Sequence, residues 1–99
     1  MTYKLSLKAL NDIKNIWNYT LKEWSIEQAD RYINLIFDEF EYLSKNPNSG
    51  KDYGSVREGY KGSKVKSHIV FYRYEQLQNQ IEIIRILHQQ MDVENRLSD

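Results

Sequence analysis

The sequence predicts an α+β fold of the order β-α-α-β-β-β, a helical hairpin packed on a small antiparallel sheet. Three observations predict it. Apolar residues recur at spacings of three and four from Ala9 to Leu43, the period of helices with one buried face. Ser25 interrupts that run, and so short a connection folds the two helices back on each other. After Asn46-Pro47 the pattern changes to short runs rich in β-branched and aromatic residues, separated by turn-forming clusters, as strands require. Ninety-nine residues supply one core, since a chain of this size buries only about two-thirds of its unfolded surface. All elements therefore serve a single domain over residues 1–99.

Taken in order, Tyr3–Leu7 alternates with period two and reads as the first strand. The first helix, over residues 8–24, places Ala9, Ile13, Ile16, Trp17, Thr20 and Trp24 on one face. Ser25 is an N-cap for the second helix, over 26–45, and Gln28 three residues later completes a capping-box pattern. Ile26, Ala29, Ile33, Ile36, Phe40 and Leu43 form its apolar stripe. Pro47 ends it, because the residue before a proline is pushed out of helical geometry, and Asn48-Ser49-Gly50 continues as turn. The chain is loop to Gly54. Strands then follow at 55–60, 64–74 and 80–88, joined by Lys61-Gly62-Ser63 and Glu75–Asn79. Connections this short predict an antiparallel meander. The tail, 89–99, has room for one helical turn at Asp92–Leu97.

A sheet covered on one face alternates apolar and polar residues. The last two strands do not: Ile69, Val70, Phe71, Tyr72 and Ile81, Ile83, Ile84, Ile86, Leu87 supply apolar groups to both faces. The hairpin covers one face, so the other needs a lid. The chain's own tail, a homodimer contact or a partner segment would each serve, and the expectation is a second chain on that face or a visible groove.

Composition narrows the function. With no Cys there is neither disulfide nor thiolate metal site, as suits a reducing cytoplasm. Lys4, Lys8 and Asp12 interrupt any apolar leader, and no run of 18 apolar residues exists to cross a membrane. Fourteen basic residues balance fourteen acidic ones, which argues against sequence-specific nucleic-acid binding as the main task. The charges are unevenly spread. Arg57, Lys61, Lys64, Lys66 and Arg73 accompany one acid, Glu58, whereas Glu23–Glu41 holds six acids and only Arg31. A basic strand region of this kind suits an acidic partner peptide; a solvated charged surface is the alternative.

Two His and several Arg invite an RNA-cleavage reading. Metal-independent cleavage needs a base for the 2'-hydroxyl proton, cations for the phosphorane charge and an acid for the leaving oxygen. His88 is the candidate for proton transfer, since an ordinary imidazole titrates near ~6.5. Its structural alternative is a strand-end His bonded to a carbonyl or to Asp92. His68 reads as a structural hydrogen-bonding residue. Arg85, between Ile84 and Ile86, requires an acid or carbonyl partner if buried, or else faces a phosphate. No metal or cofactor is expected: there is no HExxH arrangement, the four Gly punctuate loops, and no nucleophile elbow occurs.

Four segments, YKLSLKALNDIKNIWNYT from Tyr3, EYLSKNPNSG from Glu41, HIVFYRY from His68 and IEIIRILHQQMD from Ile81, resemble in order and spacing the ParE branch of the RelE/ParE toxin superfamily. The resemblance runs from Tyr3 to Arg96. It implies the toxin of a type II toxin–antitoxin pair, one that poisons DNA gyrase without enzymatic activity of its own. It also implies a ParD-like antitoxin whose C-terminal segment orders on binding and wraps the toxin. By that resemblance His88, Met91, Asp92 and Arg96 are the expected target contacts. Trp17, Trp24, Tyr32, Arg57, Tyr72 and Arg73 are the expected antitoxin contacts, although each equally suits the core or the solvent, and Trp17, on the apolar face of the first helix, suits the core better. The RelE-like alternative is a ribosome-dependent mRNA endoribonuclease with Arg57, Lys61, Arg85 and His88 assembled for cleavage. Set against the RelE-like pattern, however, Ile69 stands where a phosphate-facing Arg is expected, and Leu87-His88-Gln89 where another would lie. A third alternative is a homodimerising regulatory domain without toxic action.

Overall fold

The computed structural model describes residues 2–97. Its elements are β1 (Tyr3–Leu5), α1 (Leu7–Glu23), α2 (Ile26–Lys45), β2 (Lys51–Asp52), β3 (Lys61–Val65), β4 (His68–Glu75), β5 (Gln80–His88) and α3 (Val93–Leu97), with a short 3-10 turn over 76–78. The strands form one sheet in the order β1-β5-β4-β3-β2. Neighbours β2 through β5 pair antiparallel, whereas β1 joins β5 in parallel, Tyr3 opposite Ile81 and Leu5 opposite Ile83. The helical hairpin is the crossover that a parallel first strand demands.

Local chemistry sets the boundaries. The first strand stops at Leu5 rather than Leu7, because Ser6 is extended and its hydroxyl accepts the Ala9 N–H at 3.0 Å. The same hydroxyl donates to the Ile84 carbonyl at 2.7 Å, so one serine ends β1, caps α1 and ties both to β5. Ser25 caps α2 in the expected way, accepting from the Gln28 N–H at 3.1 Å. Asn46 closes α2, donating its N–H to the Tyr42 and Leu43 carbonyls.

The middle of the chain differs from its sequence reading. Residues 55–60, expected as a strand, form successive turns, and the expected turn at 61–63 is the start of β3. The expected strand 64–74 is broken at Lys66-Ser67, where Lys66 takes a positive φ of 56° and Val65 and His68 close a two-residue hairpin. Two residues of the expected loop, Lys51 and Asp52, pair with β3 as a short edge strand.

The sheet has two apolar faces, as its strands require. Ala9, Ile16, Ile36, Phe40 and Leu43 of the hairpin pack on Val70, Tyr72, Ile81, Ile83 and Ile86. The opposite face carries Phe71 and Leu87 and is sealed by the chain itself: Tyr53, Val56 and Tyr60 from the turns before β3, and Val93 and Leu97 from α3, close over it. Neither a second chain nor a partner segment is needed there. Gly62 shows why this lid fits. Tyr53 lies so close over it that a Cβ would stand 2.7 Å from its ring, while the ring meets Phe71 edge-on at 5.0 Å between centroids.

A bulge in β5 serves both faces. Phe71 pairs with Arg85 and Tyr72 with Ile83, so Ile84 is an extra residue without a counterpart in β4. Ile83 and Ile86, three positions apart, thereby both join the helix-side core, and Ile84 and Leu87 the lid-side core.

Candidate functional site

The helix side is not closed along its whole length. Where the far half of α1, the start of α2, the β3–β4 turn and the end of β5 meet, they leave an open groove of ≈ 780 Å³. One wall comes from α1: Asn15, Ile16, Tyr19 and Thr20. Trp24, Gln28 and Tyr32 form the hairpin end, and Ser67, His68, His88 and Met91 close the other side. Tyr19 and Trp24 are 64% and 74% exposed, so the rim carries large aromatic groups left uncovered among the described residues. Among the described residues no Lys, Arg, Asp or Glu lines the groove.

Its floor is a cross-strand pair of histidines. His68 of β4 stands directly opposite His88 of β5, with ring centroids 5.3 Å apart and planes at 82°. Tyr32 reaches across from α2, and its hydroxyl shares a 2.5 Å hydrogen bond with His68 Nδ1. The same hydroxyl lies 3.4 Å from the Val65 carbonyl and from Ser67 Oγ, holding the hairpin turn to the helix. His88 Nδ1 accepts the Gln90 N–H at 3.2 Å. Burial pushes the pKa of His68 down to about 4, the charge of His88 pushes the same way, and Asp12 opposes them weakly.

The residues expected to cut RNA are not gathered here. Arg85 forms a two-pronged pair with Asp12 of α1, Nε to Oδ2 at 2.8 Å and Nη2 to Oδ1 at 2.9 Å, with both side chains nearly buried. Asp12 Oδ2 also accepts the Ile86 N–H at 2.9 Å. Ile86 lies beyond the end of β1, so this carboxylate satisfies a strand edge that β1 is too short to cover. Arg57 lies over the Tyr60 ring at 5.9 Å, on the lid across the sheet from the groove. Lys61 opens β3, and of the four residues only His88 reaches the groove.

The expected contact residues divide similarly. Trp24 and Tyr32 line the groove, as do His88 and Met91. Trp17 lies outside it, half-buried, its indole N–H donated to Asp30 of α2 at 3.0 Å. Arg73 is exposed and pairs with Glu75 and Glu82. Asp92 bonds Asn95 at the start of α3, and Arg96 is exposed on that helix. Tyr72 is a correction: it is wholly buried, where no partner can reach it. Its hydroxyl donates to the Pro47 carbonyl and accepts the Gly50 N–H, both at 2.9 Å, fixing the turn that follows α2. Residues the sequence reading missed are Tyr19, Thr20, Asn15, Gln28 and Ser67. A signal existed for the first two, because Ile16, Tyr19, Thr20 and Trp24 continue the helical stripe toward the hairpin end.

Residues 3–93 match the model of the family described as "ParE toxin of type II toxin-antitoxin system, parDE". The chain is 36% identical over 95 residues to "Toxin ParE1" of Caulobacter vibrioides, with 96% of each covered. It is 33% identical to "Toxin ParE1" of Mycobacterium tuberculosis at the same coverage, and 28% identical over 97 residues to "Toxin ParE" of Escherichia coli, covering 98% of this chain and 93% of that one. A solved chain described as "Chromosomal ParDE TA system from P. aeruginosa" superposes with a TM-score of 0.76 at 21% identity, over 89% of this chain and 95% of its own. That likeness shows the fold, an α+β hairpin-on-sheet domain. Matched across nearly its whole length, the chain belongs to the ParE toxin family of type II toxin–antitoxin systems.

Proposed function

We propose that this toxin acts in the cytoplasm by binding and not by bond-breaking, that its target is DNA gyrase, and that a ParD-like antitoxin neutralises it from the groove. The observation that carries the binding reading is the commitment of Arg85. A phosphoryl-transfer site needs cations free to meet the developing charge, and this guanidinium is spent on Asp12 and the β5 edge. A gyrase poison of this kind works by favouring one state of its target over another.

The groove suits a partner segment with an apolar face, because its rim is aromatic and its lining uncharged. His88 and Met91, expected among the target contacts, lie in the same groove as Trp24 and Tyr32, expected among the antitoxin contacts. An antitoxin seated there covers part of the target surface, so neutralisation follows from occlusion. Asp92 and Arg96, on the C-terminal segment beside it, complete the target surface.

Tightly controlled expression tests the reading. Linearised DNA and arrest at gyrase are the expected result, relieved by co-expressing the protein of the adjoining reading frame. Early cleavage of ribosome-bound mRNA, abolished by His88→Ala, refutes it.

A further inference from the structure

The bonds made by the two groove-floor imidazoles fix where their protons sit. The Tyr32 hydroxyl lies 2.5 Å from His68 Nδ1 but 3.4 Å from the Val65 carbonyl and from Ser67 Oγ. A phenol has one proton to give, and the shortest contact takes it, so His68 Nδ1 accepts. Burial keeps this ring uncharged, its pKa pushed down to about 4, which leaves its own proton on Nε2. His88 Nδ1 accepts the Gln90 N–H at 3.2 Å. An accepting nitrogen carries no proton, so this ring too holds its proton on Nε2. Neither Nε2 has a hydrogen-bond partner among the described residues, yet neither is sealed from solvent, and both rings line the groove. The floor therefore presents two N–H donors. The same proton placement disfavours a metal ion there: a metal takes the Nε2 lone pair, which would drive the His88 proton onto Nδ1, against the Gln90 N–H.

We infer that the groove selects its antitoxin segment by an uncharged amide oxygen set among apolar side chains, received by the Nε2–H groups of His68 and His88. The inference deepens the reading of the groove as the antitoxin's seat and rests on it. A carboxylate would also accept from the floor, but taken out of water it needs a cation, and among the described residues no Lys or Arg lines the groove. A wholly apolar segment would cover both N–H groups and leave them unpaired, at a cost to binding. An amide oxygen has lone pairs for the donors and brings no charge, so it avoids both penalties.

The test is calorimetric binding of the protein encoded by the adjoining reading frame, at pH 7.5 and constant salt. His88→Phe keeps a ring without the donor and is expected to bind at least about fivefold more weakly than the parent. His88→Gln, which restores an N–H donor on a side chain of similar reach, should stay within about threefold. His88→Leu, a second donor-free variant, should weaken binding as His88→Phe does, and Phe and Gln at position 68 should show the same order; urea midpoints report which variants keep the fold. Folded donor-free variants that bind as tightly as the parent, or more tightly, show a wholly apolar occupant and overturn the inference. So does a His88→Gln protein as weak as His88→Phe, or a His88→Lys protein that binds more tightly than the parent, for that identifies a carboxylate. Trp24→Ala separates the two failures. If it binds as the parent does, the groove is not the seat and the underlying reading falls. If it binds at least about tenfold more weakly while His88→Phe binds as the parent does, the amide oxygen alone is wrong.

Discussion

Asp12 offers the sharpest test of how this fold is held, because one carboxylate serves two purposes that substitution can separate. It neutralises Arg85 through two hydrogen bonds and it accepts the Ile86 N–H beyond the end of β1. Both side chains of the pair are only 11–12% exposed. Removing one partner of a pair so placed costs about 3–5 kcal/mol, and a buried N–H left without an acceptor costs about 1–3 kcal/mol. Asp12→Ala loses both and is expected at about 3–5 kcal/mol in total, since single-site costs overlap. Asp12→Asn keeps an amide oxygen for the Ile86 N–H and is expected to cost about 1–3 kcal/mol less than Asp12→Ala. Arg85→Met with Asp12→Asn should be far less damaging than the sum of the single changes, because neither charge is then left without its counterpart. Urea unfolding at pH 7 measures all four. A loss below about 1 kcal/mol for Asp12→Ala, or additivity of the two single changes within about 0.5 kcal/mol, refutes the assignment. So does an Arg85→Met protein that unfolds at the parent's midpoint yet no longer arrests growth, for then Arg85 acts on a substrate.

Three further outcomes are expected. Tyr72→Phe leaves the Pro47 carbonyl and the Gly50 N–H without their hydroxyl partner and should cost about 1–3 kcal/mol in urea unfolding, with no loss of partner binding by the folded fraction. Gly62→Val drives side-chain atoms into the Tyr53 ring and Ile69; a loss of about 1–3 kcal/mol and increased binding of an apolar dye at the lid should follow. Stability should also depend on His68 in acid. Its folded pKa of about 4 lies below the ordinary 6.5, so between these values the unfolded chain binds the proton and the folded one does not. Stability is therefore full above pH ~6.5, falls as the pH drops toward ~4 and levels below it. Thermal unfolding from pH 7 to 4 should show this fall, and His68→Gln should flatten it.

The helices were legible because their signals are local. Ser25 with Gln28, the stripe from Ala29 to Leu43 and the stop at Pro47 all act within a few residues of one another, and α2 forms over Ile26–Lys45. The last strand was legible too, over Gln80–His88. The stretch between was not, for two reasons. Gly62 reads as a turn residue, yet it sits within β3 where Tyr53 leaves no room for a Cβ. Lys66-Ser67 contains none of the usual Gly or Asn turn residues, yet it makes the tight turn, Tyr32 holding it from a helix over thirty positions away. Val56 and Tyr60 supplied apolar side chains in a short run, which resembles a strand, but their use is to seal a sheet face.

The groove was the least legible part, since it depends on register. His68 and His88 become a pair only because β4 and β5 align them, with a bulge at Ile84 shifting the alignment by one residue along the way. Were Ile84 paired with Phe71 in an unbulged ladder, Leu87 would stand opposite His68, putting an apolar group beside the imidazole. The bulge thus does two jobs at once. It lets Ile83 and Ile86, three positions apart, share the helix-side core, and it brings an imidazole to the floor of the groove. This explains how a 99-residue chain with apolar groups on both sheet faces closes one face with its own turns and tail while leaving the helix side open at one end. The open end is where exposed aromatic side chains collect, and they gather around the His68 and His88 rings.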